Sequence, residues 1–243
     1  MAKEKNIQKF NQDIEENEGY YYTQTSKLSC RLANQRLSRA VAEMTCLSAK
    51  RVLDIGCGDG TYTIELLNKG PKYVLGVDAA QAAVDLARKK VIDFDNIEFR
   101  VLDIYELANL QEKFDVAIVR GVLHHLYDIR KAIVGISKVA GEVIVIEPNG
   151  YSPILKIIEK TSRYHIKHEE KSYSPHRLNK WFSRIGGELI QASYCNIVPF
   201  FCWDILARML KTIEPFIERT FLLKQLFCAV YVMKVHFGRN ENR

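Results

Sequence analysis

The segment RVLDIGCGDG, residues 51–60, decides how this 243-residue chain folds. A short apolar run there breaks into three alternating glycines, Gly56, Gly58 and Gly60. Glycine tolerates the backbone conformations of a sharp turn and lets a ligand approach the main chain closely. The segment therefore predicts a buried strand, a tight turn beside a ligand, and a helix that opens at Thr61.

Strand and helix patterns alternate after this turn. Short runs rich in β-branched and aromatic residues predict strands at 52–55, 73–77, 97–101, 114–119 and 142–146. Helical patterns follow the first four strands, at 61–69, 80–94, 105–112 and 129–139, with Gly141 closing the last helix. A parallel strand returns to its neighbour only through a crossover, so this order predicts an α/β fold with a doubly wound, mostly parallel sheet.

The flanking segments extend this sheet. Residues 1–49 are predicted to form a helical extension, in which Ser26 caps a helix, and residues 50–243 to form the main domain. Beyond residue 150, the patterns predict helices at 151–161 and 175–185 and strands at 189–194 and 227–235. An insertion at 199–224 carries apolar residues at helical spacing, and Pro215 is expected to break it into two helices.

The bulk composition limits the class of protein. Lys and Arg number 35 against 29 Asp and Glu, and the resulting charge of +6 is low for a dedicated nucleic-acid binder, so no DNA partner is expected. The six cysteines lack metal-ligand spacing, and we expect reduced thiols and no metal. Residues 1–18 are polar, and no apolar run is long enough to span a bilayer. Together these features predict a soluble, cytoplasmic protein.

Three kinds of ligand compete for the glycine turn. A P-loop needs a Gly-Lys-Ser/Thr ending, and Thr61 follows Gly60 here. A dinucleotide would place its pyrophosphate at the helix N-terminus, but Asp59 lies there and Asp54 precedes the turn. Two carboxylates disfavour a pyrophosphate and favour a cofactor with cationic amino and sulfonium groups, which is S-adenosylmethionine.

Acidic residues also end the second and third predicted strands. Asp78 can accept both ribose hydroxyls of such a cofactor, and Asp103 beside Ile104 can hold its adenine. The carboxyl ends of parallel strands meet at one edge of a sheet, so these acids and Asp54 are expected to share one site. Asp78 can alternatively cap the helix that follows it.

These motifs resemble those of the class I S-adenosylmethionine-dependent methyltransferases, in particular the small-molecule branch typified by ubiquinone and menaquinone biosynthesis methyltransferases. The motifs concerned are VLDIGCGDG (52–60), GVD (76–78), LD (102–103), FDV (114–116) with VLHHL (122–126), and GEVIVIEP (141–148). The resemblance implies a Rossmann-like seven-stranded sheet whose last strand is antiparallel. It also implies a set of cofactor residues, which are Asp54, Gly56, Cys57, Gly58, Gly60, Asp78, Ala79, Asp103, Ile104 and Arg120.

Methyl transfer from an activated sulfonium depends on alignment, and it needs a general base only where the acceptor carries a proton. His125, after the fourth strand, is the predicted base, and either it or His124 can instead cap or pack the following helix. The predicted substrate wall comprises Tyr21, Tyr22, His124, Glu147, Asn149, His168 and Tyr173.

An absent motif and the insertion 199–224 bear on the class of methyl acceptor. RGVL at 120–123 replaces the Asn-Pro-Pro-Tyr type of motif that stacks a flipped base or an amide. We therefore predict O-methylation of a small or lipid-like metabolite by a monomer or homodimer, with S-adenosylhomocysteine as the second product. A methyltransferase for RNA or a ribosomal component, favoured by the charge, and a non-catalytic cofactor-binding module remain open. The insertion 199–224 can serve as a lid, a dimer contact or an interfacial helix near lipid.

Overall fold

The computed structural model describes residues 7–12, 14, 20–23, 26–162 and 171–238. Seven strands form one sheet, and in chain order they are β1 (Arg51–Ile55), β2 (Tyr73–Asp78), β3 (Ile97–Val101), β4 (Phe114–Arg120), β5 (Ala140–Pro148), β6 (Gly187–Cys195) and β7 (Val230–Phe237). Their spatial order is β3-β2-β1-β4-β5-β7-β6. β7 pairs antiparallel with β5 and β6, and the other pairs are parallel. The predicted fold class, including the antiparallel last strand, is confirmed.

Helices connect the strands and lie on both faces of the sheet. The α-helices are α1 (Leu28–Met44), α2 (Thr61–Glu65), α3 (Gln81–Lys89), α4 (Ile129–Val139), α5 (Pro153–Thr161), α6 (Pro175–Ser183), α7 (Asp204–Arg219) and α8 (Phe221–Phe227). Short 3₁₀ helices occupy Tyr21–Thr23, Leu66–Lys69, Ile104–Asn109 and Leu123–His125. Residues 7–12 are also helical.

Two apolar layers hold these helices against the sheet. On one face Leu53 packs in a cluster with Ile133 of α4, and on the other face Val52 packs with Val84 of α3. Successive residues of a strand point to opposite faces, so a strand covered on both sides buries every side chain. This is why the central strands appear in the sequence as short unbroken apolar runs.

Several predicted helix boundaries are wrong. Ser26 does not cap α1, because the N-cap position is Lys27 and no side chain accepts a hydrogen bond there. The predicted helix at 80–94 ends at Lys89, because the chain must turn back to enter β3. Gly141 does not close α4, since Ala140 already begins β5 and Gly141 lies within that strand.

The insertion also differs from its prediction. Pro215 lies inside α7 and does not break it. Pro215 is exposed, so the carbonyl that loses its partner at the proline can bond to water instead. The break falls at Thr220, which has an extended backbone (φ −88°, ψ 119°). Phe227 ends α8 and does not begin the last strand. No helix in the described ranges combines the length and the hydrophobicity needed to cross a bilayer.

We predict that Ile133→Ala destabilises the protein by about 2–5 kcal/mol, because the side chain is fully buried and its removal leaves a cavity. Urea denaturation followed by circular dichroism measures this change. The matched control is Ile92→Ala, since Ile92 is 83% exposed, and its effect should stay within about 0.5 kcal/mol. Equal losses in the two variants would contradict the assignment of Ile133 to the core.

Candidate functional site

The carboxyl ends of four neighbouring strands open into one cavity of about 1300 Å³. Its walls include the residues that follow β1, β2, β4 and β5, together with side chains of α5 and α7. Small-molecule pockets typically measure roughly 300–1,000 Å³, so this cavity has room for a cofactor and an acceptor together. It lies at the edge of the sheet where the sequence places its acidic residues.

The glycine turn after β1 has the backbone that the sequence predicts. Gly56, Gly58 and Gly60 all have positive φ, at 73°, 55° and 75°. A Cβ on Gly56 would lie 2.3 Å from Val122 Cγ2, and one on Gly58 would lie 2.8 Å from Tyr20 Cε2. Conformation and close packing therefore both require glycine at these two positions.

Asp78 ties the glycine turn to the end of β2. The backbone N–H of Gly58 donates to Asp78 Oδ2 (2.9 Å), and that of Ala80 donates to Oδ1 (2.8 Å). Burial raises the pKa of this carboxyl, and the backbone N–H donors oppose that shift. Asp78 also lines the cavity. A carboxylate has about four lone-pair sites, so Asp78 can hold both loops and still accept hydrogen bonds from a ligand.

Asp54 and Arg120 lie behind the turn, close enough for their charges to influence each other. Thr63 Oγ1 donates to Asp54 Oδ2 (2.6 Å), and the Arg120 guanidinium lies 4.6 Å from the centre of the Tyr62 ring. Burial raises the pKa of Asp54 and lowers that of Arg120, and the attraction between the two charges opposes both shifts. Arg120 lines the main cavity, whereas Asp54 lines only a small recess beside it. Arg120 Nη1 has no hydrogen-bond partner in the described part of the chain.

Asp59 has a role that the sequence argument did not foresee. Its Oδ2 lies 3.1 Å from Lys90 Nζ, and its Oδ1 accepts the N–H of Thr61 (3.1 Å). The carboxylate is 4% exposed, and Lys90 compensates its charge within the protein. Asp59 also lines the cavity, so Lys90 offsets part of the charge that the sequence assigns to selecting a cationic cofactor, and the carboxylate fixes the start of α2 as well.

The remaining predicted cofactor residues divide into two groups. Cys57, Ala79, Asp103 and Ile104 line the cavity. Asp103 Oδ1 also accepts the N–H of Tyr105 (2.9 Å), which caps the following 3₁₀ helix. Gly60 does not line the cavity, and its Cα packs against α3 and β3.

His124 and Glu147 form a buried pair at the carboxyl ends of β4 and β5. His124 Nδ1 lies 2.8 Å from Glu147 Oε2. Glu147 Oε1 accepts the backbone N–H groups of Val122 and Leu123, at 2.9 and 2.8 Å. Glu147 is 1% exposed. Through these three hydrogen bonds its carboxylate holds the turn that carries His124. Both side chains line the cavity.

His125, the predicted base, lies beside this pair and also lines the cavity. Its ring centre is 3.9 Å from that of His124, and Phe10 meets it edge to face at 5.2 Å. The structure thus brings both histidines to the site. The Glu147 carboxylate contacts His124.

The predicted substrate wall is only partly assembled at the cavity. Tyr22 and Tyr173 line it with His124 and Glu147. Asn149 does not, because its buried amide donates to the carbonyls of Gln225 and Cys228 and so joins β5 to the end of α8. His168 and the side chain of Tyr21 lie outside the described residues.

Apolar residues of two helices line the cavity; the sequence offered the insertion 199–224 as a lid, but it assigned no residue of α5 to the site. Leu155 and Ile158 of α5 line it, as do Leu210 and Ile217 of α7. The signal was present, since both helices carry apolar residues three and four positions apart. Such spacing indicates a buried face, but it does not distinguish a core from a cavity wall.

The fold and the site together define a class. A sheet of this order, with a glycine turn after β1 and an acid at the end of β2, defines the class I S-adenosylmethionine-dependent methyltransferases. The site also suits this cofactor by its own chemistry. Asp78 offers acceptors for ribose hydroxyls, the glycine turn allows close approach, and Arg120 lines the same cavity with a guanidinium that suits a carboxylate.

The chain belongs to this family. A family model described as a methyltransferase domain matches residues 47–194, which is more than half of the chain. The matched region begins before β1 and ends within β6, so it contains the glycine turn, the acidic strand ends and the His124–Glu147 pair.

Individual relatives share part of the chain. It is 32% identical over 102 residues to the ubiquinone biosynthesis O-methyltransferase of Hahella chejuensis, covering 41% of this chain and 42% of that protein. It is 33% identical over 97 residues to the tRNA U34 carboxymethyltransferase of Alteromonas mediterranea, covering 37% and 29%. Each match thus spans less than half of the relative. The solved structure of magnesium protoporphyrin IX methyltransferase from Synechocystis, with bound SAH, matches with a TM-score of 0.59 at 18% identity over 87% of this chain and 88% of that one, which shows a shared fold.

We predict that Asp78→Asn weakens S-adenosylmethionine binding about 10- to 100-fold, because hydrogen bonds to a charged group contribute about 1.5–3 kcal/mol. Asparagine keeps the size of the side chain, and titration calorimetry measures the affinity. Asp85→Asn on α3 is the matched control, since Asp85 lies at the surface beside Arg88. Unchanged affinity in Asp78→Asn would rule out a direct contact between this carboxylate and the cofactor.

Proposed function

We propose that this chain is an S-adenosylmethionine-dependent O-methyltransferase that acts on a small or lipid-like metabolite. The observation that carries the proposal is the His124–Glu147 pair, which places an oriented imidazole in a cavity large enough for cofactor and acceptor. An oxygen acceptor carries a proton that must leave during methyl transfer, and a histidine held by a carboxylate suits that task.

The roles of the two residues follow from their geometry. Glu147 accepts a hydrogen bond from Nδ1–H of His124, which selects the tautomer whose Nε2 bears the lone pair. Nε2 can then take the proton of an acceptor hydroxyl as its oxygen attacks, and the Glu147 carboxylate stabilises the imidazolium that forms. The bound cofactor would supply an electrophilic methyl group on a sulfonium, so the C–S bond breaks as the O–C bond forms. Asp78 and Arg120 would hold the cofactor for this alignment.

The cavity lining supports an acceptor with a substantial apolar part. The lining combines the acidic strand ends with aliphatic and aromatic side chains such as Leu155, Ile158 and Phe200. Apolar surface attracts apolar ligand groups in proportion to the area removed from water. A phenolic hydroxyl on a molecule with an apolar tail fits this arrangement, and the similarity to a ubiquinone biosynthesis O-methyltransferase agrees with it.

A second candidate is methylation of an RNA, which the similarity to a tRNA U34 carboxymethyltransferase and the charge of +6 favour. RNA binding of that kind weakens steeply as salt rises, because counterions are released from the phosphates. Filter binding of tRNA at several salt concentrations tests it. Salt-dependent binding together with methylation of RNA would replace the metabolite proposal.

We predict that His124→Asn lowers kcat/KM for a phenolic acceptor by about 100-fold or more, within the range measured for general-base catalysis. Transfer from labelled S-adenosylmethionine measures the rate. In the wild type, kcat/KM should fall at low pH because protonation of His124 removes the base. This fall should disappear in His124→Asn, which lacks the imidazole. Glu147→Gln should lower the rate and move that fall, since the carboxylate no longer supports the imidazolium.

Two further variants decide which histidine acts. His236→Asn is the matched control, because His236 is exposed near the end of β7 that lies away from the cavity, and it should keep wild-type activity. His125→Asn tests the base that the sequence predicts. A loss confined to His125→Asn would overturn the role of His124. Cofactor binding without turnover on any hydroxyl acceptor would instead support the non-catalytic cofactor-binding module.

A further inference from the structure

The helices beside the cavity expose many large apolar side chains. Trp203 is 84% exposed, Ile205 76%, and Phe221 67%, and Met209, Phe216 and Leu222 are also mostly exposed. We call these six side chains the outer face. None of them lines the cavity, so their exposure is to the surroundings of the protein. A concentration of exposed apolar groups of this kind marks an interaction surface.

The outer face is a continuous feature of α7 and α8. A helix turns by about 100° per residue, so Ile205, Met209 and Phe216 lie along one line of α7. Ala207 and Glu214 lie on the opposite side and are buried against the protein. α8 packs against both α7 and α5 and adds Phe221 and Leu222. α7 is therefore anchored through one side and presents apolar residues on the other.

One ion pair and one hydrogen bond to residues outside the helix fix this orientation of α7. Arg36 of α1 contacts both carboxylate oxygens of Glu218, at 2.9 and 3.1 Å from Nε. Glu214 pairs with Lys211 and accepts the backbone N–H of Ile197 (3.4 Å). The two acidic side chains on the anchored side are thus turned toward the protein and neutralised there.

The charges that remain at the border of the outer face are mainly basic. Arg208 and Arg219 lie about 40–60° around the helix from the apolar line. Both are exposed, and neither makes an ion pair with a described residue. Lys224 of α8 lies 5.9 Å from the ring of Phe221. Apolar side chains bordered by arginine and lysine are typical of helices that lie at the interface of a membrane with anionic lipids.

The cavity and the outer face are continuous. Ile213 of α7, Phe227 of α8 and Ile154 of α5 line the cavity and are also about half exposed, at 49%, 44% and 47%. They connect the apolar lining of the cavity with the apolar surface next to it. All three side chains are apolar, so they can contact an apolar molecule at the border of the cavity.

We propose that the outer face docks onto a membrane surface containing anionic lipids, so that a membrane-dissolved acceptor enters the cavity directly. The inference rests on the proposed function for the identity of the acceptor, but the docking itself does not. Trp203 and Phe221 insert among the lipid headgroups, and Arg208, Arg219 and Lys224 meet the lipid phosphates. The docking is interfacial, with α7 lying in the plane of the surface.

Vesicle sedimentation with the full chain tests this docking. We expect strong binding to vesicles of phosphatidylcholine with 30% phosphatidylglycerol (roughly the anionic content that attracts basic segments) and weak binding to phosphatidylcholine alone. Trp203 fluorescence should shift to the blue and be quenched by brominated lipid, and both signals should vanish in Trp203→Phe. No sedimentation with anionic vesicles would overturn the proposal.

Paired double variants separate the outer face from general hydrophobicity and charge. Ile205→Ser with Phe221→Ser should lower vesicle affinity at least tenfold, whereas Ile92→Ser with Phe94→Ser, on exposed residues after α3, should leave it unchanged. Arg208→Gln with Arg219→Gln should remove the preference for anionic lipid, whereas Lys69→Gln with Lys72→Gln, near the opposite edge of the sheet, should keep it. Equal losses in test and control pairs would overturn the assignment.

Three outcomes separate membrane docking from dimerisation and from the proposed function. Analytical ultracentrifugation without lipid that shows a dimer in wild type and a monomer in Ile205→Ser with Phe221→Ser would assign the outer face to a second copy of the chain and overturn membrane docking. Turnover of a water-soluble phenol without vesicle binding would reject this proposal alone. Vesicle binding without methylation of any acceptor would reject the proposed function alone.

Discussion

The site depends on carboxylates at strand ends that accept hydrogen bonds from backbone N–H groups of a neighbouring loop. Asp78 at the end of β2 holds the glycine turn after β1, and Glu147 near the end of β5 holds the turn after β4. A carboxylate removed from water must find donors, since leaving it unsatisfied costs several kcal/mol. The parallel sheet brings each strand end next to its neighbour's loop, so these acids find their donors there. The shape of the cavity follows from these contacts.

The acidic residues near the cavity find their partners in two ways, either in a lysine or in backbone N–H groups. Asp59 lines the cavity too, but Lys90 pairs with its carboxylate and so compensates its charge within the protein. Asp78 and Glu147 satisfy backbone donors and still line the cavity, so they can act on a ligand or on the histidine beside them. Arg120 is their basic counterpart, with one face on the ring of Tyr62 and Nη1 without a partner among the described residues. A binding site needs polar groups that can still form hydrogen bonds with a ligand.

Apolar residues of α5, α7 and α8 either line the cavity or form an exposed surface. Leu210 and Ile217 turn inward and line the cavity, whereas Met209 and Phe216, each one position earlier, face outward. Neighbouring positions of a helix point about 100° apart. The contacts of Glu214 and Glu218 fix which side of α7 faces the protein. The ion pair with Arg36 therefore helps to determine which apolar residues of α7 line the cavity.

The sequence by itself determined the α/β class, the order of strands and helices, the glycine turn and the acids at the strand ends, because these depend on local periodicity and on conformations that only glycine adopts easily. The tertiary structure decided the rest. Whether His124 or His125 meets Glu147 depends on the direction of two adjacent side chains in a 3₁₀ turn, which periodicity does not encode. Lys90 neutralises Asp59 from 31 positions away, and α7 continues through Pro215 because that residue faces solvent. These outcomes depend on contacts between distant segments, and such contacts exist only once the sheet has formed.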